Sequence, residues 1–197
     1  IHWVDFRLSA PVLRSALELD MASQGGEQPL DWIDILALAA AWRGGTGVTV
    51  ADTQRAAQAL RGDTPPERLP GMAGRYFSYY REAYGAALGG LAGHFAIRRT
   101  DPQTGEAEWI PAYGLKAFSP IAAGYPWSHY PDFGAQRSYG YARPHLGNDI
   151  LGALGTPICA VEGGTVEALG WNQYGGWRIG IRSFDNKRYY YYAHLRQ

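Results

Sequence analysis

The 197-residue chain has a single cysteine, no excess of either charge and no apolar run long enough to cross a bilayer. One cysteine, Cys159, excludes an internal disulfide and leaves the redox compartment unread. Its place in the apolar run Thr156-Pro157-Ile158-Cys159-Ala160-Val161 predicts a buried structural thiol rather than a reactive one. Lys plus Arg and Asp plus Glu number 18 each, without a basic stripe, which argues against nucleic acid or anionic lipid as a partner. The longest apolar stretch, 33–42, follows Asp31, contains Asp34 and falls well short of the ~20 residues of a membrane span. It predicts a core helix. No basic residues lead into an apolar signal, and the chain opens at Ile1 rather than Met, which is consistent with export and with a leader or anchor upstream.

What the sequence has in quantity is hydrophobic and aromatic residues, 46% and 14%, enough for one good core and a second, smaller unit. Helical periodicity runs over 10–19, 30–42, 50–60 and 74–91, punctuated by Gly25-Gly26, Gly44-Gly45 and Thr64-Pro65-Pro66. Asp52 predicts a capped helix start, because a short acidic side chain accepts the free amide protons there. Residues 1–97 therefore read as an all-α unit with no ligand-type cluster, suited to packing, targeting or interaction. Residues 98–112 read as a linker, opening an ordered extended connector to 143 in which prolines restrict the chain and aromatics bury it. His129, in the aromatic loop Tyr125 to Gly134, reads as a packed histidine in preference to a supplementary metal ligand.

The chemistry concentrates in the last third. Arg143-Pro144-His145-Leu146-Gly147-Asn148-Asp149 sets a histidine and an aspartate four positions apart, an imidazole and a carboxylate that both suit zinc. Gly155 to Val166 reads as a tight turn, a buried strand, a glycine turn and a second strand, and 179–195 as a hairpin ending in Tyr189-Tyr190-Tyr191-Tyr192-Ala193-His194-Leu195. Strand alternation puts Tyr190, Tyr192 and His194 on one face. Trp171, Tyr174 and Trp177 around Gly175-Gly176 suit a rim that stacks on sugar or peptide, and suit core packing about as well. The double glycine strand by itself is similar to lipoyl and biotinyl carrier domains, but Glu162-Gly163-Gly164-Thr165 has no lysine to carry a cofactor.

The ordered combination of HxxxD, Gly-Thr-Pro, the glycine hairpin and Tyr-x-His-Leu resembles the M23 family of zinc metallopeptidases, the LytM and lysostaphin-like enzymes that cut peptides of bacterial peptidoglycan. The resemblance covers roughly 113–197. It implies an α+β chain, a helical accessory domain followed by a mostly antiparallel β peptidase domain. It implies that His145 and Asp149 are zinc ligands and that His194 lies beside the metal without binding it, hydrogen-bonding the attacking water or the oxyanion. Asn148, before the ligand aspartate, is placed to orient a ligand or merely to be tolerated at the surface.

One departure matters. The family's third ligand comes from a later HxH motif, and none of the five histidines here forms one. Either the chain is cut before its last strands or it is a shortened relative without the complete site. The well-formed hairpin ending at an edge strand favours the first, with the missing histidines expected beyond Gln197. The expected function is an extracytoplasmic zinc endopeptidase acting on peptidoglycan stem or bridge peptides. The alternative is a degenerate domain that binds cell wall or activates other enzymes.

Overall fold

The computed structural model describes residues 7–138, 141–145 and 149–197, and the chain divides into two compact units, 1–116 and 117–197. The class is α+β: a four-helix region followed by antiparallel sheets.

In the first unit the helices are α1 (Ala10–Ser23), α2 (Trp32–Arg43), α3 (Val50–Leu60) and α4 (Met72–Leu88). Helix α2 is apolar all round, and Ile35 through Ala41 are wholly buried, as a helix without a polar face must be. Asp31 caps its start by accepting from the Ile33 amide at 2.7 Å, and Gly44 closes it in the left-handed conformation. The buried Asp20 carboxylate accepts from the Trp32 amide at 3.0 Å and from Gln24 at 2.7 Å, fastening the end of α1 to the start of α2. The expected cap at Asp52 shifts by one turn: Thr49 is the N-cap, and Asp52 returns the bond to the Thr49 amide in a reciprocal capping box.

Residues 98–112 are not a linker. They lie in the arms and turn of a hairpin, β1 (Ala92–Thr100) and β2 (Ala107–Leu115), paired from Ala92↔Leu115 to Thr100↔Ala107. The segment Asp101 to Gly105 is the turn itself: Asp101 Oδ1 accepts from the amides of Gln103 and Thr104, and Gly105 takes a φ of 73°. The first unit is thus helical with an appended hairpin. No described helix is long and apolar enough to cross a membrane.

The second unit holds two small ladders and a three-stranded sheet. Strand β3 (Trp127–Tyr130) pairs with β6 (Asp149–Gly152), and β4 (Gln136–Arg137) with β5 (Arg143–Pro144). The sheet runs β7 (Gly164–Asn172), β8 (Gly176–Ser183), β9 (Tyr189–Leu195), all antiparallel. The buried strand expected over 156–161 does not form. Only an isolated bridge links Ile158 to Ile121, and Cys159, whose amide donates to Pro120 O at 2.8 Å, is exposed rather than buried. Apolar composition made the run look like core, but 118–122 meets it edge to edge, with Phe118 N donating to Val161 O and Ala122 N to Pro157 O, and backbone pairing covers no side chain.

Candidate metal centre

Strand pairing brings the motif residues together. Asp149 opens β6 directly opposite Tyr130, and Asp132 lies two residues beyond Tyr130. His145 follows β5, and its backbone is clamped to the turn after Asp132: its amide donates to Ala135 O at 2.8 Å, and its carbonyl accepts from Gly134 N at 2.6 Å. Arg137 reaches in from β4. Asp132, His145 and Asp149 each offer a ligand atom within 4.8 Å of the others.

The contacts inside this cluster are directional. His145 Nδ1 is 3.1 Å from Asp132 Oδ2, while Nε2 is 3.6 Å from Asp149 Oδ1. The other Asp132 oxygen, Oδ1, accepts the Asp149 amide at 3.2 Å. One nitrogen of Arg137, Nη2, bonds Asp132 Oδ2, lies 3.0 Å from Asp149 Oδ2 and stands 3.3 Å from His145 Nδ1. Burial alone would raise the Asp132 pKa, but the Asp149 amide and the neighbouring charges of His145 and Arg137 outweigh it and hold the carboxyl below its ordinary value. The donor set fits a divalent metal: the His145 imidazole and the Asp149 carboxylate converge, a second carboxylate, Asp132, stands at the other ring nitrogen, and Arg137 already bonds both carboxylates as a cation would. Asp132 and Arg137 carried no signal in the sequence, since neither stands at a fixed spacing from His145. Asn148 lies outside the described residues.

His194 stands outside that cluster and is exposed on β9. The alternation expected for β9 holds only as far as Tyr192. The Tyr190 hydroxyl donates to Glu162 at 2.8 Å and the Tyr192 hydroxyl accepts from Val161 N at 2.8 Å, so both point to the same side. The register then slips: Ile179 faces Tyr192 while Trp177 faces Leu195, which leaves one extra residue in β9. The bulge is where His194 sits, with a left-handed φ of 55°, so its side chain does not simply continue the face of Tyr190 and Tyr192. Its amide donates to Gly175 O at 2.6 Å, tying it to the β7–β8 turn, which Asn172 Oδ1 organises by accepting from the amides of Tyr174 and Gly175. A Cβ at Gly175 would meet the hydroxyl of the half-exposed Tyr191 side chain, which would have to move aside. Trp171, Tyr174 and Trp177 around the turn are 62%, 48% and 37% exposed, which excludes close core packing for them. His129 is exposed on β3, opposite Ile150, and takes no part in the cluster.

Residues 143–197 match the model of peptidase family M23, so this part of the chain is similar to the domains of that family. The L-Ala--D-Glu endopeptidase of Bacillus subtilis (strain 168) is 43% identical over 82 residues, 42% of this chain and 24% of that enzyme. The chain thus spans about a quarter of the length of this curated relative. No solved structure matches at a significant level. Asp132 and Arg137 precede the matched segment.

Proposed function

We propose that the protein is an extracytoplasmic zinc endopeptidase acting on the peptides of bacterial peptidoglycan, with 117–197 as the peptidase unit and the helical region as an accessory. The observation that carries this reading is the convergence of His145 and Asp149 within a segment similar to the domains of a peptidase family. The name of the curated relative points to the bond between L-Ala and D-Glu of a stem peptide as the first substrate to try.

His145 and Asp149 would hold the metal, with Asp132 behind the histidine. The family's remaining ligand, from HxH, has no counterpart among these 197 residues. Zinc, when bound, supplies Lewis acidity that polarises the scissile carbonyl and activates water. His194 would hydrogen-bond the attacking water or the developing oxyanion and pass a proton to the leaving amine. Its left-handed backbone supports the assignment, because such strain persists where surrounding structure holds a side chain for a purpose. Trp171, Tyr174 and Trp177 would offer aromatic faces to the substrate.

The alternative, a degenerate domain serving as a wall-binding or activating scaffold, is favoured by one feature: Arg137 already pairs with the Asp149 carboxylate that would bind the metal, and with Asp132 beside it. Zinc uptake and release of peptide fragments from purified peptidoglycan separate the two. His145→Ala and Asp149→Ala should lose both zinc and cleavage, while His194→Ala keeps zinc and loses cleavage. Full cleavage by His194→Ala would remove that residue from the mechanism.

A further inference from the structure

We propose that Asp132 is a positioning residue for the metal centre: it accepts the Nδ1 proton of His145, so that the Nε2 lone pair is presented toward Asp149, where the metal would bind. The inference rests on the metal reading above and deepens it. Neutral imidazole has one proton to place, and the surroundings of its two nitrogens differ. Nδ1 lies 3.1 Å from a buried carboxylate oxygen, a good hydrogen bond, whereas a proton on Nε2 would face Asp149 Oδ1 at 3.6 Å, too far for one. Arg137 Nη2, at 3.3 Å from Nδ1, competes as a donor, but it already has carboxylates of Asp132 and Asp149 to bond. The Nδ1–H form therefore keeps the hydrogen bond to the buried carboxylate and leaves the Nε2 lone pair for the metal, while the Nε2–H form gives up that bond and strands a proton on the side where the metal enters.

The same carboxylate also fixes the second ligand. Asp132 Oδ1 accepts the Asp149 amide at 3.2 Å, so one side chain, 4% exposed, sets the imidazole of one ligand and the backbone of the other. A carboxylate behind a ligand histidine orients the ring and raises its basicity, and removing such a partner costs about 10–100-fold in metal affinity. Asp132 is not itself placed as a ligand alongside Asp149, because it lies behind the opposite nitrogen of the ring.

The experiment uses the whole 197-residue chain. Nitrogen-15 NMR of the metal-free protein, near pH 8 where imidazole is ordinarily neutral, should show His145 protonated at Nδ1. In Asp132→Ala the remaining Nδ1 neighbour is the Arg137 donor, so the proton should move to Nε2. Asp132→Asn retains a carbonyl acceptor and should keep the wild-type tautomer. Titration with Co2+ should give about 10–100-fold weaker binding for Asp132→Ala and a smaller loss for Asp132→Asn, with unchanged visible bands in both. An Nε2–H tautomer in the wild type, or no tautomer change in Asp132→Ala, would overturn the proposal. Altered cobalt bands in Asp132→Asn would also overturn it, by making Asp132 a ligand. Failure of the wild type to take up cobalt, with the Nδ1–H tautomer intact, would instead sink the metal reading and leave the hydrogen bond standing.

Discussion

Glu162 shows how single side chains hold the second unit together. Its carboxylate receives two bonds from Arg188, at 2.5 and 3.2 Å, and one from the Tyr190 hydroxyl at 2.8 Å. Burial alone would raise the Glu162 pKa, but these bonds and the Arg188 charge outweigh it and leave the group below its ordinary 4.5. Burial and the Glu162 carboxylate together push Tyr190 up to about 12. A carboxyl whose folded pKa is depressed contributes stability that is complete above the unfolded value and disappears as pH falls through the folded one. Glu162→Gln should therefore lose about 2 kcal/mol near neutral pH. Thermal melts should show the gap to wild type closing below pH 4.5. A gap independent of pH would mean the charge contributes nothing.

The β7–β8 hairpin depends on glycine at the position where it opens. At Gly164, the first residue of β7, an added Cβ would overlap the Arg182 carbonyl oxygen and crowd Ile181, both on β8. Backbone is hard to move, so Gly164→Ala should cost about 1–3 kcal/mol and loosen the β7–β8 ladder. Hydrogen exchange of the β8 amides, faster in the variant, is the measurement. Elements were also the scale at which the sequence was most legible. Helix α3 spans 50–60 as its periodicity predicted, because spacing and capping act within a few residues. The 98–112 segment was misread because its turn residues look the same whether the flanks pair or merely extend. Only the register from Ala92 to Leu115 distinguishes the cases.

Two compact units, 1–116 and 117–197, give the molecule two parts that should melt separately. Leu36 is wholly buried in the helical core, and Leu36→Ala should destabilise the first unit by about 3 kcal/mol. Metal bound in the second unit should raise the transition of that unit alone, since a ligand stabilises the fold that binds it. Calorimetry with and without zinc checks both: Leu36→Ala should shift one transition, zinc the other, and zinc affinity should be the same in the variant. A single transition moved by both changes would show the units to be thermodynamically coupled.

The sequence by itself determined the helical and hairpin periodicities, His145 and Asp149 as a candidate ligand pair, and the resemblance to M23 peptidases, because each is written in residues close along the chain. Tertiary structure decided the rest. Asp132 and Arg137 join the candidate centre only because β3 pairs with β6 and β4 with β5, and such pairings are set by contacts between distant segments. The bulge that turns His194 away from strict alternation arises from a register slip against β8, and the exposure of Cys159 from what packs over the run 156–161, which its own residues do not decide. Local pattern fixes which residues can pair or coordinate. The long-range balance of hydrogen bonding and burial fixes which of them do.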